Sequence, residues 1–118
     1  MGSYVLAAVD DMFFATKIRG TAEALGLEVR FSRSADDAIE KAREDLPTLI
    51  IADLHSVKCD PFNLAEQLKT DERLRDVPLI GFFSHVQTEL KERAERSGFD
   101  RVMPRSAFSK NLAEILKD

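Results

Sequence analysis

The sequence predicts an α/β fold, a doubly wound sheet of five parallel strands with helices on both faces. Short apolar, β-rich runs alternate five times with longer segments of helical period. The first run, Tyr4 to Val9, is apolar throughout, the pattern of a strand covered on both sides. Ten elements in 118 residues leave about 12 residues each, loops included, which suits strict β-α alternation. Right-handed crossovers then require a parallel sheet between two helical layers.

The first strand is Tyr4 to Val9, too continuous in apolar residues to have one face in water. Met12 to Leu25 carries Phe14, Ile18, Ala22 and Leu25 at helical spacing, with Gly26 as its cap. Leu27 to Phe31 is a second, short strand. Ser34 with Asp37 reads as a capping box that opens a helix to about Asp45, and Pro47 stops it. Thr48 to Ala52 is the third strand. A helix over Phe62 to Lys69 follows, with Phe62, Ala65 and Leu68 on one face. Val77 to Phe83 is the fourth strand, Val86 to Ser97 a helix ended by Gly98, and Phe99 to Met103 the fifth strand. Ser106 is expected to cap a last helix whose Leu112, Ile115 and Leu116 face inward.

Composition narrows the function. Lys and Arg number 17 and Asp and Glu 21, for a net charge of −4. Hydrophobic residues make up 44% and charged residues 32%, the balance of a globular domain rather than a disordered chain. One domain spanning residues 1–118 is expected at this length. The basic residues are scattered singly among acids, so no stripe exists to engage nucleic acid. No apolar run approaches the ~18 residues of a membrane span. The opening Met1-Gly2-Ser3-Tyr4 has neither a charged leader nor the myristoylation pattern. Cys59 is the single cysteine, which excludes an intrachain disulfide and a thiolate metal cluster. A cytoplasmic domain without nucleic-acid or membrane partners is the expectation.

In an open parallel sheet, sites form beyond the carboxyl ends of the strands. Asp10 and Asp11 follow the first strand, Asp53 the third, Ser84 and His85 the fourth, and Pro104 and Arg105 the fifth. Each aspartate alone could be a helix cap. Three carboxylates at one end of one sheet repel, and such a group calls for a cation or for raised pKa values. Hard oxygen ligands suit Mg²⁺, which keeps several waters and takes one or two carboxylates. An aspartate beside such an ion can act as a nucleophile toward a phosphoryl group.

These residues carry a resemblance. Val5 to Asp11 is similar to the first strand and acidic pair of response-regulator receiver domains, the family of the bacterial chemotaxis regulator. Leu49-Ile-Ile-Ala-Asp-Leu54, followed by Asp60-Pro-Phe62, resembles that family's phosphoacceptor segment, and Leu74 to Ile80 the approach to its fourth strand. The resemblance covers essentially the whole chain. It implies a flavodoxin-like (βα)5 fold with strand order 2-1-3-4-5. It implies that Asp53 accepts a phosphoryl group, that Asp11 binds Mg²⁺ directly and Asp10 largely through water, and that the backbone carbonyl of His55 is a further ligand. It implies a histidine kinase or other signalling protein as partner, and a homodimer through the fourth helix, fifth strand and fifth helix. Any catalysis would be phosphoryl transfer onto the domain's own aspartate and slow autodephosphorylation.

The sequence also departs from the family. Phe83 stands where a Ser or Thr usually ends the fourth strand, and Ser84 is one residue late, which on a regular strand points to the other face. Met103 precedes Pro104 where a Lys is usual. Aligned from Gly98, Arg105 takes the Lys position, keeping the charge in a bulkier and non-equivalent form. The customary aromatic of the fifth strand becomes Val102 or Asp100, and Pro61 replaces a customary Gly. Two readings therefore stand side by side: a receiver phosphorylated on Asp53 with Mg²⁺, and a pseudo-receiver that works as a phosphorylation-independent interaction module. A third, a flavodoxin-like small-molecule binder, lacks an aromatic-flanked ligand loop. A Ser84-His85-Asp53 triad is disfavoured, because adjacent Ser and His point apart and no Gly-x-Ser-x-Gly elbow is present. His55 and His85 flank the proposed site, with His55 placed to tune the access of water. Phe13 is expected outside the core and Phe14 inside it.

Overall fold

The computed structural model describes residues 4–84 and 88–117. Its elements are β1 (Tyr4–Ala8), α1 (Met12–Ala24), β2 (Glu28–Ser32), α2 (Ala35–Glu44), β3 (Leu49–Asp53), α3 (Pro61–Thr70), β4 (Leu79–Phe83), α4 (Thr88–Ser97), β5 (Arg101–Pro104), α5 (Arg105–Lys110) and α6 (Leu112–Lys117). The strands are all parallel, in the order β2-β1-β3-β4-β5. The alternation of elements predicts the parallel sheet, and the family resemblance implies its flavodoxin-like strand order.

Strand alternation divides the core into two layers. Leu6, Ile50 and Leu79 face one side of the sheet and pack with Ala38 of α2, Leu64 of α3 and Ala94 of α4. Val5, Ile51, Ile80 and Phe82 face the other, against Phe14 and Ile18 of α1, Phe108 of α5 and Ile115 of α6. On that second face Phe82, Phe14 and Phe108 form a mutual cluster, with the Phe82 centroid 5.1 Å from Phe14 and 4.5 Å from Phe108, and those two 6.2 Å apart. Phe13 is exposed while its neighbour Phe14 is buried, as the helical spacing predicts.

Local signals fix the helix ends. The Ser34 hydroxyl accepts from the Asp37 N–H at 3.0 Å, and α2 places acids in its first turn with Lys41 and Arg43 in its last. Gly26, at φ 72°, takes the left-handed conformation that lets the chain turn out of α1. Pro61 opens α3, where a missing N–H costs nothing.

The largest departure from expectation is at the carboxyl end. One helix from Ser106 to Lys117 was expected, but two short ones form, broken at Asn111. The Asn111 amide group donates to the Ala107 carbonyl at 2.9 Å, alongside its own backbone N–H at 3.0 Å. Asparagine competes for backbone in this way and is a poor helix interior residue. Ser106 is not the cap. It sits inside α5, whose cap position is Pro104 with no side-chain hydrogen bond. Leu112, Ile115 and Leu116 are buried as expected.

Smaller shifts have local causes. Regular pairing in β4 starts at Leu79 rather than Val77, because Pro78 has no N–H for the ladder. In β5 it starts at Arg101 rather than Phe99, since the Asp100 carboxylate accepts from the Leu79 N–H at 2.8 Å. The expected start of the fourth helix at Val86 lies outside the described residues.

Gly81 is required by packing. A Cβ there would stand 2.9 Å from the Phe99 ring and 3.1 Å from Leu54. Gly81→Ala is expected to destabilise the fold by about 1–3 kcal/mol, the usual cost of overpacking a core. Urea denaturation checks this, and an unchanged midpoint would show that Phe99 can move aside.

Candidate functional site

Because every strand runs the same way, the residues after each strand collect along one edge of the sheet. Ala8 pairs with Ala52 and Asp53 with Phe82. That register brings Asp10 and Asp11, just past β1, beside Asp53 at the end of β3. Ser84 follows β4 and Arg105 opens α5 at the same edge.

Asp53 is buried, with its Oδ1 accepting from the His55 N–H at 2.9 Å. Burial lifts its carboxyl above the usual carboxylate range, and the nearby charge of Asp10 adds to the rise. The His55 N–H and the charge of Arg105 pull the other way without reversing it. A carboxyl that binds its proton more tightly when folded opposes folding once ionised. That cost is fully present above the folded pKa and disappears as pH falls through it. Asp53→Asn keeps an acceptor for the His55 N–H and removes the buried charge. The variant is expected to melt higher than the native chain near pH 7, with the difference shrinking as pH is lowered. Thermal denaturation across that range checks the prediction, and a lower melting temperature at neutral pH would sink it.

Asp10 is exposed, and its Oδ2 accepts from the Ser56 hydroxyl at 3.0 Å. Ser56 is buried, and its oxygen in turn accepts from the Cys59 N–H at 3.0 Å. Ser56 is therefore a further member of the site, tying Asp10 to the β3–α3 loop. Nothing in the sequence pattern singles it out, since one loop serine looks like any other.

Asp11 is engaged twice. Its Oδ1 accepts from the Phe13 and Phe14 N–H groups, at 2.9 and 3.3 Å, and so caps α1. Its Oδ2 accepts from the Arg105 guanidinium at 2.6 Å. The guanidinium also lies over the Phe14 ring, 4.2 Å from its centroid. Arg105 thus points into the site, but its direct partner is Asp11 rather than Asp53.

Ser84 and Phe83 divide as follows. Phe83 is buried in the core layer shared with α2, α3 and α4. The strand ends there, so alternation no longer dictates where Ser84 points. Its N–H donates to His55 Nε2 at 3.0 Å, and its hydroxyl lies 3.2 Å from the same nitrogen. His85 lies outside the described residues. Asp60, at φ 41°, adopts the left-handed conformation just before Pro61, the residue that stands where a glycine is customary. Val102 packs against the α2–α3–α4 layer, and Asp100 is spent on the Leu79 N–H, so neither supplies an aromatic.

Among the described residues, no three of His, Cys, Asp and Glu stand together as a ready metal-binding group. The donor chemistry nevertheless fits a small hard cation. Asp10 and Asp53 are close enough for one charge to raise the other's pKa. Mg²⁺ needs only one or two carboxylates and completes its shell with water. Among the described residues, no helix is long and apolar enough to cross a membrane.

No family model matches the chain. It is similar over nearly its whole length to the polar-differentiation response regulator DivK of Brucella ovis and of Brucella abortus. The identity is 26% over 117 residues, covering 99% of this chain and 95% of each relative. Among solved structures it superposes on the chemotaxis response regulator CheY4 of Vibrio cholerae with a TM-score of 0.85 at 18% identity, covering 99% of this chain and 98% of that one. The signal receiver domain of a histidine kinase from Syntrophus aciditrophicus gives 0.85 at 22% identity, with 98% and 88% covered. A response regulator from Hahella chejuensis gives 0.88 at 15%, with 98% and 93% covered. The chain is thus similar over its full length to the response regulator DivK and shares the fold of CheY-like receiver domains.

Proposed function

We propose that the domain accepts a phosphoryl group on Asp53, with Mg²⁺ held by Asp10, Asp11 and Asp53 and by the backbone carbonyl of His55. The observation that carries this reading is a buried carboxylate at the end of β3, with two further aspartates beside it at one sheet edge. An Asp53 oxygen attacks phosphorus, the bond to the donor's leaving group breaks, and that group departs with the electron pair. The product is an acyl phosphate. The cation, when bound, neutralises charge shared by the carboxylates and the incoming phosphoryl group. The His55 N–H fixes one Asp53 oxygen and leaves the other as the nucleophile. Arg105 supplies positive charge at the same edge and acts on Asp53 through space. A histidine kinase is the natural donor for such a site, and cytoplasmic signalling the setting.

Incubation with acetyl phosphate and Mg²⁺ tests the reading. A phosphoryl mass adduct is expected in the native chain and absent from Asp53→Asn and from a metal-free control. An adduct that survives the substitution would overturn the assignment of Asp53.

A pseudo-receiver reading has its own observations. Phe83 is buried where a hydroxyl is customary, and Arg105 is bound to Asp11. A folded native chain that takes up no phosphoryl group would favour a module that docks through its helices, including a homodimer through α4, β5 and α5. The oligomeric state by light scattering, with and without acetyl phosphate, separates the two.

A further inference from the structure

A phosphoryl group on Asp53 brings three new acceptor oxygens to the edge between β3 and β4, and each calls for a donor. Ser84 offers two donors there, its N–H and its hydroxyl. In this structure both meet one atom, Nε2 of His55, at 3.0 and 3.2 Å. A backbone N–H can only donate, so Nε2 is an acceptor and the ring proton of the neutral imidazole belongs on Nδ1. One lone pair is thus shared by two donors, which leaves each bond weaker than an unshared one. The other end of His55 is fixed, since its own N–H donates to Asp53 at 2.9 Å. The residue therefore spans the mouth between the strands, backbone on the nucleophile and ring on Ser84. His55 is exposed, so its ring can leave without opening the core.

We propose that the His55 imidazole is a placeholder for the phosphoryl oxygens: it occupies the Ser84 donors in the resting domain and yields them when Asp53 is phosphorylated. This rests on the reading of Asp53 as phosphoacceptor. It makes His55 a positioning residue, acting through Ser84 rather than on phosphorus. It also gives Ser84 a use in a chain whose customary hydroxyl position is filled by Phe83. The exchange slows entry of the phosphoryl group, because the His55–Ser84 bonds break as the new ones form.

The test compares the native chain with His55→Ala and His55→Gln, using acetyl phosphate with Mg²⁺ as the donor. Removing the ring should raise the rate of adduct formation about three- to tenfold, what exchange of one hydrogen bond is worth. Glutamine, which can still accept from Ser84, should return the rate toward the native value. In the unphosphorylated ¹⁵N-labelled protein, the Ser84 amide resonance should move in His55→Ala and less in His55→Gln. Equal rates in all three chains, with the Ser84 resonance shifted, would overturn the exchange alone. An unshifted Ser84 resonance would overturn the contact itself. Absence of adduct in every chain, the native one included, would overturn the phosphoacceptor reading and the exchange with it, and mark that as the failure.

Discussion

Phe82→Ala is expected to cost about 3–5 kcal/mol, the range for removing a large aromatic side chain from a packed core. Phe82 is fully buried and stacks on both Phe14 of α1 and Phe108 of α5, which also meet each other. Truncation would therefore remove a contact of the sheet with each of two helices and leave a cavity in the layer they share. A domain of this size is stable by roughly 5–15 kcal/mol, so the variant would stand near its unfolding threshold. Urea denaturation with the slope held in common should show the midpoint falling by a large fraction of its native value. A loss below about 1 kcal/mol would mean that the layer repacks around the missing ring. The effect also reaches the site, because Arg105 rests on Phe14. A loosened Phe14 should lower adduct formation even where Phe82→Ala remains folded.

Arg105→Ala is the second large effect, and it should move two quantities in opposite directions. Its guanidinium now holds Asp11 at 2.6 Å, in a pair about one-third exposed on each side. Releasing Asp11 frees a carboxylate for a cation, so the Mg²⁺ concentration giving half-maximal labelling should fall a few-fold, in keeping with ~0.2–1 kcal/mol for such pairs. At saturating Mg²⁺, the maximal labelling rate by acetyl phosphate should drop about tenfold. That is below the ~100–1000-fold typical of a preorganised donor, because water screens a half-buried cation. Arg105→Lys should keep part of the rate and lose the fork onto the carboxylate. A variant with both quantities unchanged would place Arg105 outside the chemistry.

Much of this was legible in the residues. Unbroken apolar runs such as Leu49 to Ala52 define buried strands, and strict alternation with helices implies a parallel sheet, its strand order following only from the family resemblance. The acidic residues could be placed at one sheet edge for the same reason, since parallel strands put their ends together. What stayed hidden depends on side-chain direction. Arg105 pairs with Asp11 because α5 begins one residue earlier than the expected Ser106 cap, which turns the guanidinium toward α1. Ser84 reaches His55 because β4 ends at Phe83, freeing it from the two-residue alternation that would have sent it to the opposite face. Ser56 had no signal, as its role arises only from the path of the loop after β3. The break at Asn111 carried a warning in its residue type, but the periodicity of Leu112, Ile115 and Leu116 masked it.

The fifth strand has a consequence for solution behaviour. It lies at one border of the sheet, is four residues long, begins with the exposed charge of Arg101 and ends on Pro104. A second chain seeking to extend the sheet would find a short template with one charged tooth and one position without an N–H. Open-ended ribbon growth from that border is discouraged. Two copies meeting on this flank are expected to do so through side-chain surfaces rather than by extending the sheet.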